Sequence, residues 1–285
     1  HLSDGMKIFR NIIQVNMDEQ QFTQTRMRFI RDKYAIDQIV LTFNTPNAES
    51  LKKFCEEHRQ EVVDFLTHTE MNRLIKELQV HYSKVIYDLA WGEFACKLYA
   101  PKEIKAYKKG KQFFWASNNT AQGMVSICMY SYPYEGPETF NRQYVMAKRD
   151  SVMKENMPGE HPGMFMQTDT VHTDIKAINV HGKYAMEMRG LWVVKENKLE
   201  NLWDSMGGPF VSHSRVDTET NRVVVVEGFV YAPEKMKRGL MRRLEGSLYT
   251  LQLPEEQYSF IDTGVEEEKA DSAAVEGKAE QKASK

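Results

Sequence analysis

Residues 189–246 constrain the fold of this chain more than any other stretch: RGLW, then MGGPFVSHSR, then VVVVEGFVYAPEKMKRGLMRRLEG. Two apolar, β-branched runs flank a pair of glycines and lead into a segment with apolar residues at helical spacing, so the order is strand, glycine turn, strand, helix. A chain that sets a hairpin beside a helix in this way builds an α+β layer structure, a largely antiparallel sheet with helices packed on it. At 285 residues and 41% hydrophobic content there is enough chain for one large domain or two small ones with a real core. We read one domain over residues 1–260.

Upstream, RNIIQVNM (residues 10–17) and QIVLTF (residues 38–43) are short β-branched runs that predict strands, the second closed by Thr45-Pro46-Asn47. From Ala48 the period becomes helical, with Leu51, Phe54, Val62, Phe65 and Leu66 on one side. A further helix is expected with Thr69 as its N-cap, ending near Trp91 and Gly92. An internal echo follows. Gly92-Glu93-Phe94-Ala95 parallels Gly182-Lys183-Tyr184-Ala185, Phe113 with Trp115 parallels Phe210 with Ser212, and Pro137-Glu138 parallels Pro233-Glu234. Residues 92–153 and 182–251 therefore read as pseudo-repeats of strand-strand-strand-helix, with convergent punctuation as the rival explanation. Residues 157–163, MPGEHPG, read as the connector between them. The tail, residues 261–285, has no aromatic residue and is expected to be disordered.

A net charge of -2 and a pI near 6.5 give no basic excess to draw the chain onto phosphate backbones, so nucleic acid is not an expected partner. No apolar run approaches the roughly 20 residues a membrane-spanning helix needs. Cys55, Cys96 and Cys128 are odd in number and widely spaced, and read as small buried apolar residues rather than a disulfide or zinc framework. The chain opens HLSDGMK, without an initiator Met, which reads as a fragment or a processed form.

The candidate site residues cluster in the constraining stretch. Gly207 and Gly208 in MGGPF can take positive φ and could form an anion-binding nest beside Arg189 and Arg215; a tight strand connection is the alternative. Lys235, Lys237, Arg238, Arg242 and Arg243 crowd the last helix, whose stripe is Met236, Leu240, Leu244 and Leu248. Cations at its first turn oppose the macrodipole, so Glu234, Glu245, other carboxylates or a bound anion should offset them. Glu227 interrupts an apolar strand and, if it points inward, needs a partner. Arg189 or His213 on a neighbouring strand could supply one, and a cleft there would make Glu227 a candidate general base. The other histidines have no metal-ligand spacing, no GxSxG elbow occurs, and nothing calls for a cofactor. The aromatics Phe113, Phe114, Trp115, Tyr130, Tyr132 and Tyr134 fit strand packing, with carbohydrate stacking as the functional alternative. Arg189, Trp192, Gly207, Gly208, His213, Arg215 and Glu227 form the candidate ligand-binding set; no catalytic or metal residue is assigned.

Taken together, Arg10-Asn11-Ile12-Ile13, Gln38, Phe114-Trp115, Arg149-Asp150-Ser151-Val152 with Pro158-Gly159, Arg189-Gly190-Leu191-Trp192, residues 206–211, and residues 227–233 with Lys237-Arg238 resemble an uncharacterised family of Bacteroidetes lipoproteins classed as a domain of unknown function. The resemblance implies a precursor with a lipoprotein signal and a place in the cell envelope, at the periplasm or the cell surface. Membrane contact would then come only through that lipid anchor. It supplies no catalytic assignments to carry over. The expected function is non-catalytic binding of an envelope ligand or protein partner. The alternatives are an envelope enzyme using Glu227, Arg189 and His213, which a deep polar cleft joining the three would favour, and a structural assembly subunit, which a large exposed apolar patch would favour.

Overall fold

The computed structural model describes residues 3–120, 123–159, 161–195 and 206–268. The chain is α+β, and it divides into two compact units, His1–Glu70 with Asp262–Lys285, and Met71–Ile261. Where one domain over residues 1–260 was expected, the boundary falls inside a continuous helix. No glycine-, proline- or serine-rich linker marks it in the sequence.

In the first unit, β1 (Asn11–Met17), β2 (Arg26–Arg31) and β3 (Ile39–Thr45) form a sheet of order β1-β3-β2, with β1 parallel and β2 antiparallel to the central β3. Helix α1 (Ala48–Glu57) starts where the Asn47 side chain accepts from the Ser50 amide at 2.9 Å, and α2 (Arg59–Val80) follows after His58. Met27, Phe29, Ile39, Leu41 and Phe43 from the sheet and Phe65 from α2 make the core. The sequence pattern shows β1, β3 and α1 but misses β2, whose Met27 and Phe29 alternate with arginines. Thr69 is interior to α2 and not a cap. The break comes at residues 81–83 instead. There the Ser83 hydroxyl accepts from the Ile86 amide, opening α3 (Lys84–Phe94) in the second unit.

The expected tail is in part ordered. Glu267 bridges Phe29 in parallel, the Phe29 amide donates to Glu266 at 3.2 Å and the Glu268 amide donates to Phe29 at 2.8 Å. Arg28 and Arg31 pair with the three glutamates, and Val265 packs on the core. A charge run that reads as solvated is here the counter-charge of a basic edge strand. Residues 269–285 lie outside the described residues.

The second unit is an eight-stranded sheet: β4 (Ala106–Gly110), β5 (Phe113–Ser117), β6 (Met124–Pro133), β7 (Phe165–Thr168), β8 (Asp174–Val180), β9 (Lys183–Lys195), β10 (Gly207–Asp217) and β11 (Arg222–Tyr231). The order is β4-β5-β6-β11-β10-β9, with β7 and β8 both pairing with β9, and all pairs are antiparallel. Helix α4 (Arg142–Asn156) covers one face, where Tyr130, Val223, Val225 and Phe229 meet Val145, Met146 and Met153. Helices α3 and α5 (Arg238–Leu248) cover the other, where Ile127, Met129, Val224 and Val226 meet Ile86, Phe94, Leu244 and Leu248. Because both faces are buried, β11 reads as one unbroken apolar run interrupted only by Glu227.

The two expected repeats share their strand order, β4-β5-β6 then α4 and β9-β10-β11 then α5. Copies meeting at the antiparallel β6–β11 pair are related by a dyad normal to the sheet, which would put both helices on one face. They lie on opposite faces, so the strands correspond and the helices do not. The glycine landmark differs too: Gly92 is inside α3, whereas Gly182, at φ +75°, turns the β8–β9 hairpin.

Candidate functional site

The register of β9, β10 and β11 decides which candidate residues meet. Glu227 is opposite Ser212, and Ser212 is opposite Met188, all on the α4 face; His213 is opposite Glu187 and Val226, and Arg189 opposite Val211, all on the α5 face. Glu227 therefore cannot join Arg189 and His213, because the sheet lies between them.

On the α4 face, Glu227 pairs with Arg149, which sequence analysis did not propose as its partner. Arg149 Nε and Nη2 each donate to a different Glu227 oxygen at 2.8 Å, and both side chains are fully buried. Nη1 donates to the Thr168 hydroxyl at 2.9 Å, which donates in turn to Asp150 at 2.6 Å, and the guanidinium lies 4.1 Å from the centre of the Phe210 ring. Burial pushes the Glu227 carboxyl up, against the pull of Arg149; burial likewise opposes the charge of Arg149, but the carboxylate outweighs it and raises the guanidinium overall. A fork-on-fork pair with its remaining donors satisfied is a structural tie. A signal for it was available: Val145, Arg149 and Met153 share one apolar stripe of α4.

On the α5 face, Arg189 and His213 share Glu187. Arg189 donates to it at 3.3 Å, Lys176 is 3.5 Å away, and His213 Nε2 approaches to 3.5 Å, at the limit of hydrogen bonding; neither ring nitrogen of His213 has a better partner. Burial would raise the Glu187 carboxyl, but the neighbouring His213 and Arg189 outweigh it and hold the group down at about 2. Burial holds His213 below its ordinary value. Arg189 also pairs with Glu245 of α5, so Glu245 is spent on the sheet rather than on its own helix's cations. Of those cations, Arg243 pairs with Glu103 at 2.6 Å. Met236, assigned to the buried stripe, is 92% exposed before the helix begins, and Met241 takes its place.

Gly207 and Gly208 are not a positive-φ turn. They lie in β10 opposite Val193 and Trp192. A Cβ on Gly208 would fall 2.0 Å from the Val230 carbonyl oxygen and 3.2 Å from Trp192 Nε1, so close approach, not φ, requires the glycine. Trp192 is core, against Phe229 and Tyr231. The cysteines divide: Cys96 and Cys128 are buried, and burial pushes the Cys96 thiol up to about 12, while Cys55 is exposed. Phe113, Phe114, Tyr130 and Tyr132 are core.

Arg215 lines an open cleft. Its guanidinium donates to the Leu251 carbonyl at 2.9 Å and the Val180 carbonyl at 3.3 Å and is held on both oxygens of Glu256, so it ties β8, β10 and the segment after α5 together. The cleft, about 410 Å³, is bounded by Lys183 and Tyr184 of β9, the β10–β11 turn from Val216 to Glu219, and residues 253–256. Asp217 is committed to Arg222 and the Thr220 hydroxyl. Lys183, Glu219 and Glu255 have no ion-pair partner among the described residues, and the Tyr184 ring packs edge-on against Phe140. Among the described residues no group of three or more His, Cys, Asp or Glu has a metal-holding arrangement, and no helix is long and apolar enough to cross a membrane.

Residues 89–250 match the family described as a domain of unknown function, DUF4837, and so take in α4, the sheet and both buried ion clusters. The chain belongs to that family. Residues 1–79 match a second domain of unknown function, DUF8532. The boundary between DUF8532 and DUF4837 falls near that between the two compact units. No curated protein matches the chain. Among solved structures, the chain is similar to the Saccharomyces cerevisiae Ran-binding protein Mog1p at 9% identity and TM-score 0.36, over 56% of this chain and 90% of that one. An alanine mutant of protein Mog1 is similar at 10% identity and TM-score 0.36, over 60% and 93%. A Bacteroides thetaiotaomicron protein is similar at 12% identity and TM-score 0.23, over 56% and 46%.

Proposed function

We propose that this DUF4837 chain is a non-catalytic binding domain of the cell envelope, and that the cleft beside Arg215 is where its ligand or partner docks. One observation carries the reading: Lys183, Glu219 and Glu255 stand unpaired around a cavity whose floor is a fixed guanidinium–carboxylate tie. Elsewhere in the second unit the charges of Glu227 and Arg189 are already spent, on Arg149 and on Glu187 with Glu245. A rim with one free ammonium and two free carboxylates suits a polar ligand carrying both signs of charge, such as a short peptide or an amino sugar.

The test is an amide-shift titration of the full chain with short zwitterionic peptides and amino sugars. Shifts should concentrate at residues 183–184, 216–219 and 253–256 and weaken in Lys183→Ala and Glu255→Ala. Shifts absent there, or unchanged in both variants, would sink the cleft as the site. The envelope location rests on the resemblance carried by RGLW, MGGPFV and EGFVYAP. Its test is separate: fractionate cells carrying the complete gene and label them with a lipid probe. Unlipidated protein in the cytosol would reject the location and leave the cleft untouched.

A further inference from the structure

We infer that the free edge of β1 pairs with β1 of a second copy of this chain, antiparallel and about a dyad at Gln14, joining two three-stranded sheets into one of six strands. The sheet of the first unit treats its two edges differently. The β2 edge is closed by the chain itself, through the Phe29–Glu267 bridge and the arginine–glutamate pairs beside it. The outer side of β1 has no strand partner among the described residues. Exposed edges are ordinarily blunted by charge, proline or a bulge. The sequence of β1, NIIQVNM, has no charge, proline or glycine, and Ile13, Val15 and Met17 are 57%, 39% and 56% exposed on the side that carries the helices.

The backbone says which residues can pair. The Arg10 carbonyl accepts from Ile39 and the Asp18 amide donates to Thr45, so even-numbered residues of this stretch turn their backbone groups toward β3. Asn11, Ile13, Val15 and Met17 turn theirs outward. In an antiparallel ladder, outward-facing residues sit opposite one another and exchange both bonds. A dyad at Gln14 does this: Ile13 faces Val15 of the other copy, Asn11 faces Met17, and every side chain stays on its own face of the sheet.

The occupant follows from charge. The same register brings Arg10 of each copy, which pairs with Glu70 of its own chain at 3.1 Å while its side chain stays 67% exposed, opposite Asp18 of the other, an opposite-charge pair at both ends of an uncharged strand. Sliding the dyad one residue either way breaks both pairs while keeping the faces, so the flanking charges favour one register. A self-complementary edge of this kind is an isologous interface with closed symmetry.

The experiment uses the full chain with Cys55→Ser, which removes the exposed thiol. Sedimentation across concentration should show a monomer–dimer equilibrium, weakened at least tenfold by Ile13→Lys, an exposed position that leaves the core alone. Arg10→Asp should weaken the dimer, and Arg10→Asp with Asp18→Arg should restore it. Gln14→Cys should cross-link to itself under mild oxidation, because Gln14 lies on the dyad, and Val63→Cys, exposed on α2, should not. A chain monomeric at every concentration overturns the inference. So does a dimer indifferent to Ile13→Lys, or one that Gln14→Cys fails to cross-link.

Discussion

Arg149 and Glu227 illustrate how much a single pair can depend on its partner. Both are fully buried, so removing either leaves the other charged in an apolar layer; Glu227→Ala or Arg149→Ala should cost about 3–5 kcal/mol. Removing both with apolar replacements, Arg149→Met with Glu227→Leu, should recover much of that loss, because the buried charge goes with its partner. Urea unfolding of the two singles and the double checks this, and a double variant as unstable as the sum of the singles would contradict it. Glu187 makes a different prediction, in pH. Its carboxyl is held at about 2 when folded, below its ordinary value, so its contribution is complete above about pH 4.5 and is lost as pH falls toward 2. The loss should be roughly 3 kcal/mol. Glu187→Gln should flatten the acid limb of the stability curve, and an unchanged limb would rule Glu187 out as its source. That Glu227 lies inward and needs a base was legible from its place in an apolar strand. Which base it takes was not, since Arg149 is 78 residues away in sequence and only the fold brings α4 over β11.

The element scale shows why glycine-rich strands mislead. MGGPF contains the residues of a turn, yet Gly207 and Gly208 continue β10, and the space for Gly208 is set by the Val230 carbonyl on β11. Gly208→Ala should therefore destabilise by about 3 kcal/mol, since the methyl meets backbone and not a movable side chain. Gly239 is the contrast, with open space around it in α5, and Gly239→Ala should be neutral or stabilising by about 0.5 kcal/mol. Thermal melts of the two variants should move in opposite directions; equal shifts would mean the close approach at Gly208 is not what excludes a side chain. Periodicity made the strands of 189–231 and the helix after them readable. It could not show on which face of the sheet each helix lands, because both faces are apolar, and that is where the repeat reading failed.

At the scale of the whole molecule, the division into two compact units has a thermodynamic consequence. The first unit closes its core with chain from both ends of the sequence, and residues 266–268 finish the β2 edge. The sequence hid this arrangement, since EEE before a polar stretch carries no apolar pattern and its meaning depends on Arg28 and Arg31, far away in the chain. The surface ion pairs there are worth little singly; the backbone bonds are what hold the strap. Glu268→Pro deletes the amide that donates to Phe29 and should cost about 1 kcal/mol. A compact unit with its own core opens as its own cooperative block. The loss should therefore appear as faster hydrogen exchange at Phe29, Leu41 and Phe43, with Val225 and Phe229 of the second unit unchanged. Acceleration spread equally over both sets would show that the two units unfold together, and the boundary within α2 would then mark a change in packing without a change in cooperativity.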